Sequence, residues 1–345
     1  MLLIALFASG CGGSSQIAAT SWPGLTTDGE VVYLAFGSHV FAINASNGGE
    51  QWRFPQEADR NISFYAAPAL GGDGQLIVGG YNNVLYSLNP ETGQPNAWTF
   101  TGSRNRFIGS PLATDEFILA PSADNHLYAI DFSGALVWDF LTGEPLWTQP
   151  AADGETAYLV SLDHHLYAVD LQTGAQNWDV DLGGAVIGAP LVANGLVYAG
   201  SFGKTLTAYD AQTGEEKWSF PTSNWVWAGP TIDGETLYFS DIDGTFYAVD
   251  AASGTQTWSF AADGGIYSSP LVVDGKIYFA TENGTIYAFS TDGEEQLWSQ
   301  KVVGKIYTSP ILVKNLVLVA VMESEKLLIA YDENGIERWN YTPAE

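Results

Sequence analysis

Positive charge is scarce in this sequence. Its 345 residues include 12 Lys and Arg against 39 Asp and Glu, a formal charge of −27. A protein that grips nucleic acid by neutralising phosphates needs clustered Lys and Arg, so that class is excluded. The same balance argues against docking on an anionic membrane by charge alone. No Lys or Arg occurs from Phe107 to Gly203, while Asp and Glu recur there. That arc predicts a negative surface, read first as a solvated face and alternatively as one that favours cationic partners, and a halophilic source is another cause of the same bias. Cysteine is almost absent: Cys11 stands alone, which excludes an internal disulfide framework and a cysteine zinc cluster. No apolar run reaches the about 20 residues that cross a bilayer as a helix. Gly-x-Ser-x-Gly, a phosphate loop and His-Glu-x-x-His are all missing, and with them the signals of three common enzyme classes. Apolar residues nevertheless make up 46% of the chain and aromatics 13%, too much for a disordered acidic polymer.

The single cysteine is informative by position. Residues 2–8 are an apolar run, and the small residues Ala8, Ser9 and Gly10 lead into Cys11. Small residues after an apolar run mark signal-peptide cleavage. With Cys next, the segment resembles the lipobox of bacterial lipoproteins. The resemblance implies a leader at 1–10, lipidation of Cys11 and a tether at 11–16. The competing reading is a free cysteine in an apolar N-terminus. From Cys11 to Ile17 a tether of this kind spans at most about 20 Å.

Tryptophan sets a ruler. Trp52, Trp98, Trp138, Trp178, Trp218, Trp258, Trp298 and Trp339 are spaced by 46, 40, 40, 40, 40, 40 and 41 residues. Pro23, Pro68, Pro111, Pro150, Pro190, Pro230, Pro270 and Pro310 keep the same period in phase. The seventh repeat shows the content of one unit. Residues 267–273 read as a first strand, Asp274-Gly275 as a type I′ turn, and residues 276–280 as a second strand. Asn283-Gly284 turns into a third strand at 285–289, and Asp292-Gly293 into a fourth that carries Trp298. Four short strands in about 40 residues predict a propeller blade. A blade buries both faces only between neighbours, and a closed ring leaves no face uncovered. The fold class predicted is all-β, an eight-bladed β-propeller with four antiparallel strands per blade, as one unit over 17–345. The first repeat carries strands near 18–20, 31–34, 40–43 and 51–54, and the last ends in its own fourth strand at 337–341. Each blade is therefore complete, and the ring closes by packing the first blade on the eighth, with residues 12–16 adding to an edge.

The motif joining third and fourth strands repeats as Ala168-Val169-Asp170, Thr173-Gly174 and Trp178, and again as Ala248-Val249-Asp250, Ser253-Gly254 and Trp258. Small Ala leaves room for an indole, Asp and Thr-Gly form the turn, and Trp supplies a large buried area with an N–H that needs an acceptor. The eight ruler tryptophans are accordingly structural docking residues. This pattern resembles the tryptophan-docking motif of the pyrroloquinoline-quinone (PQQ)-like propeller repeat family, over residues 17–341. The family includes PQQ-dependent dehydrogenases, the lipid-anchored propeller of the outer-membrane barrel-assembly machinery (BamB), and other extracytoplasmic repeat lipoproteins. The dehydrogenase branch implies adjacent cysteines, a calcium site and a catalytic Asp. This chain has no adjacent cysteine pair, so no catalytic residue, metal or cofactor is carried over. The BamB-like branch implies a non-enzymatic, lipid-anchored scaffold of the bacterial cell envelope, outside the cytoplasm. Its partners are envelope proteins, an outer-membrane assembly complex among them, and the propeller is expected as a monomer. A ligand-binding sensor or a dehydrogenase-like quinone binder is the alternative.

Two constellations remain. His39, His126 and His165 open the third strand of their repeats, and His164 falls where Gly244 and Gly284 turn. Equivalent positions in neighbouring blades are a blade width apart, so a shared metal is not expected. Three residues before the repeat prolines lie Thr20, Tyr65, Ile108, Trp147, Ile187, Trp227, Tyr267 and Tyr307, five of them aromatic. The next same-face position outward holds Arg106, Trp225 and Lys305. If the first strands line a central channel, Tyr65, Arg106, Trp147, Trp225, Trp227, Tyr267, Lys305 and Tyr307 ring its mouth. Such a funnel suits a peptide strand or a small planar anion. Packing of these aromatics between blades is the competing reading.

Overall fold

The computed structural model describes residues 22–72 and 74–344. The leader, Cys11, the tether, Thr20 and the expected edge contribution of residues 12–16 lie outside them. The described chain forms eight sheets of four strands, each built from consecutive strands in antiparallel order. They occupy 24–54, 69–100, 112–141, 151–181, 191–221, 231–261, 271–301 and 311–341, numbered here as blades 1 to 8. First strands touch first strands of neighbouring blades, so they form the inner wall of a ring with a central channel.

Eight apolar clusters hold the ring together, and each mixes residues of two adjacent blades. Strand alternation produces this directly. In the second strand of blade 6, Leu237 and Phe239 pack toward blade 5 while Tyr238 packs toward blade 7. Both faces are covered, so the strand reads as an uninterrupted apolar run. The fourth strands lie at the rim and alternate with solvent.

The turns follow local chemistry. Asn194-Gly195 and Asp274-Gly275 hold both central residues at positive φ, the type I′ form. Lys314-Asn315 adopts the same signs without glycine, because Asn tolerates the left-handed region. His164 stands at φ +79 in its turn, as Gly244 does at +88.

The expected first strand of blade 1 near 18–20 lies outside the described residues, among which the sheet starts at Gly24–Thr27, paired with Val31–Phe36. One expectation needs correction. In blade 7 the first strand is Leu271–Val273, so residues 267–269 precede it. The reason is the proline: Pro270 has no N–H for a ladder. Its neighbours bond sideways to other blades instead, with Ser269 N donating to Ser309 Oγ at 3.0 Å and Thr231 Oγ1 donating to Pro270 O at 2.8 Å.

Ring closure uses the tryptophan contact found at every other junction and adds two polar pairs. Trp339 Nε1 donates to Ala45 O at 3.0 Å, Tyr341 bonds Glu50, and Lys314 pairs with Glu30. Among the described residues each of the two blades at the junction is built from four consecutive strands of its own.

Candidate functional site

The ruler tryptophans are placed by their turns. Each indole N–H donates to a backbone carbonyl of the next blade: Trp52 to Pro90, Trp98 to Phe132, Trp138 to Leu171, Trp178 to Ala211, Trp218 to Ala251, Trp258 to Thr291, Trp298 to Glu333 and Trp339 to Ala45, at 2.9–3.3 Å. Trp218 sits opposite Ala248's counterpart, Ala208, in the ladder. Ala251 O also receives Tyr198 Oη at 3.1 Å, so one carbonyl joins two donors from the preceding blade. The glycine of the next blade's turn lies over the ring. A Cβ on Gly254, at φ +69, would stand 2.6 Å from Trp218 Cε3. These residues build the scaffold and leave the channel open.

The channel holds a cavity of about 660 Å³. All seven described members of the inner ring line it: Tyr65, Ile108, Trp147, Ile187, Trp227, Tyr267 and Tyr307. The residue before each of them is the one that packs between blades. Phe64, Phe107, Leu146, Val186, Val226, Ile266 and Ile306 are each no more than 1% exposed. Alternation therefore divides the two roles, and the ring aromatics are channel residues. The apolar residue four before each proline was the available sequence signal.

The three outer residues stand apart from the cavity. Arg106 lies over the Tyr81 ring at 4.8 Å, and Tyr81 stacks on Tyr65 at 3.8 Å. Trp225 stacks on Phe202 at 4.5 Å. Lys305 is 3.6 Å from Glu323. Arg106, Trp225 and Lys305 form a rim, where backbone bonds tie them to the hairpins between second and third strands: Ala123 N donates to Arg106 O, Ile242 N to Trp225 O, and Met322 N to Lys305 O. Sequence reading missed Tyr81, Phe202 and Trp22. Tyr81 and Phe202 are the equivalent hairpin residues of blades 2 and 5, which only the fold brings beside the first-strand segments.

Ring contacts run continuously along one side. Phe202 meets Trp227 at 5.6 Å, Trp227 meets Tyr267 at 5.2 Å, Tyr267 meets Tyr307 at 5.4 Å, and Tyr307 meets Trp22 at 5.4 Å. Burial, helped by Glu282, raises the Tyr267 phenol above its usual value; burial likewise raises Tyr307 against the lowering by Lys305. Both phenols are neutral at physiological pH. Among the described residues lining the cavity there is no Asp, Glu, Lys, Arg, His or Cys.

That lining does not fit PQQ held with calcium. The quinone is a polycarboxylate that calls for cationic partners, and calcium calls for carboxylate ligands. The cavity wall supplies neither. Among the described residues no group of three or more His, Cys, Asp or Glu is placed to hold a metal. His126 lies 3.5 Å from Asp139, and His165 2.8 Å from Asp179, each within its own blade.

The model of the family described as outer membrane protein assembly factor BamB matches residues 36–148, 133–225 and 222–345. The chain belongs to this family. BamB from Moraxella catarrhalis has a similar crystal structure, at 18% identity and a TM-score of 0.71, covering 91% of this chain and 92% of that one. The computationally designed Ika8 protein is similar at 13% identity and a TM-score of 0.74, covering 94% and 98%. A europium-containing methanol dehydrogenase is similar at 14% identity and a TM-score of 0.68, covering 86% and 81%. At these identities the likenesses show the propeller fold, common to BamB and to an enzyme. Comparison of the sequence with curated proteins finds no match.

Proposed function

We propose that this BamB-family chain is a non-enzymatic scaffold of the bacterial cell envelope, which presents its funnel to protein partners of outer-membrane assembly. The observation that carries this reading is the combination of the family match with an aromatic, uncharged channel. A wall without acid, base or cationic side chains offers rings for apolar contact and no proton-transfer group poised near neutrality. The rim adds Trp225, Phe202 and the partly exposed Leu162, Ile242 and Met322, a set suited to an apolar partner segment. Cys11 is the proposed lipid anchor. From Cys11 to Trp22 eleven chain steps reach at most about 40 Å, which keeps the propeller near its membrane.

Affinity capture from solubilised membranes tests the role. The full chain is expected to enrich outer-membrane assembly proteins. Trp227→Ala with Tyr267→Ala is expected to recover several-fold less while unfolding at the same temperature. Equal recovery by the double variant would remove the funnel from the reading, and absence of assembly proteins would remove the scaffold role. In the same fractionation Cys11→Ala is expected in the soluble fraction.

A further inference from the structure

One repeat position breaks its own pattern. The residue just before each repeat proline is Ala67, Ser110, Gln149, Ala189, Gly229, Ser269 or Ser309, and in the first repeat it is Trp22. At this level neighbouring inner segments crowd together. A Cβ on Gly229 would stand 2.4 Å from Ala189 O. Trp22 instead projects its indole into the cavity, stacked on Tyr307 with 17° between planes and 5.8 Å from Trp227. Trp22, Trp227, Tyr267 and Tyr307 close a box of four rings, drawn from blades 6, 7 and 8 and the segment entering blade 1. Thr308 Oγ1 donates to Pro23 O at 2.6 Å and fixes the backbone beside that indole.

Two further observations point to a ligand. Trp22 stays 40% exposed although rings flank it, so its seat is open to exchange. Ser268 lines the same cavity, is 2% exposed, and its hydroxyl has no hydrogen-bond partner among the described residues. A buried hydroxyl without a partner is destabilising, and a bound polar atom relieves that.

We propose that Trp22 is a built-in occupant of a site for an uncharged indole-class ring, and that a tryptophan side chain of a partner segment displaces it. This deepens the reading of the funnel as a recognition surface and rests on it. The chemistry follows from the wall: stacked and edge-on rings select a planar aromatic group, and the absence of charge disfavours an ionic one. An occupant supplied by the chain itself lowers apparent affinity by the fraction of time it is seated.

N-acetyl-tryptophanamide is the probe, titrated calorimetrically into the full chain. Trp22→Ala is expected to bind it about tenfold more tightly than the unaltered chain, and Trp22→Ala with Tyr307→Ala to lose that gain. Equal affinity in the unaltered chain and Trp22→Ala overturns the built-in occupant. Absence of binding in both overturns the indole site, while membrane capture still reports on the scaffold role. A second measurement is independent of whether the alanine variant folds. In 5-fluorotryptophan-labelled protein, the resonance missing from Trp22→Phe belongs to Trp22. Saturating probe must shift it; an unmoved resonance overturns the proposal.

Discussion

Trp218 shows how one residue links two blades. Its ring lies under Gly254, and its N–H meets Ala251 O at 3.1 Å. Trp218→Ala removes ring and bond together and is expected to cost about 2–4 kcal/mol. Trp218→Phe keeps most of the apolar area and is expected to cost about 1–2 kcal/mol. Gly254→Ala puts a Cβ at positive φ against the indole, for a cost of about 2 kcal/mol or more. Urea unfolding followed by far-ultraviolet circular dichroism checks the order, and a neutral Gly254→Ala would refute the packing account. The tryptophan period and the glycine of the turn were legible in the sequence because each junction repeats them. Trp22 was not, since its meaning depends on Tyr307 and Trp227, far away in the chain.

At the scale of the element, the turns joining third and fourth strands depend on ionised carboxylates. Asp170, Asp210 and Asp250 each accept bonds from the residue three places on, Thr173, Thr213 and Ser253. Those hydroxyl donors, foremost, hold the three carboxyls below their usual range. A depressed folded value stabilises the protein above the unfolded value, and the contribution disappears as pH falls through the folded one. The denaturation midpoint is therefore expected to fall below about pH 4. A triple Asp170→Ala, Asp210→Ala, Asp250→Ala variant is expected to be less stable at pH 7 and to lose less in acid; parallel pH curves would contradict this. Strand identity was legible from apolar runs between turn residues. The first strands were read too long at their start, because extended sequence before Pro270 looks the same whether it pairs in a ladder or bonds sideways to Ser309.

For the whole molecule, charge and closure act together. The −27 charge is spread over a ring, and mutual repulsion opposes compactness. The stretch lacking Lys and Arg covers blades 3 and 4 and half of blade 5, so the acidic arc is contiguous in space. Calorimetric melting is expected to shift upward from about 20 mM to about 500 mM salt as repulsion is screened. An unchanged or lower melting temperature would show that ion pairs such as Lys314 with Glu30 outweigh repulsion.

The sequence by itself determined the blade count, the four-stranded unit and the docking tryptophans, because a repeat writes each local contact eight times. It also determined that aromatics stand three residues before most repeat prolines. Only the tertiary structure decided that they face the channel and do not pack between blades, because alternation sends Ile266 between blades and Tyr267 into the cavity. It alone placed Arg106 over Tyr81 on the rim and set Trp22 against Tyr307. Those contacts join residues from different repeats, and a sequence period carries no information about which side chains meet across a closed ring.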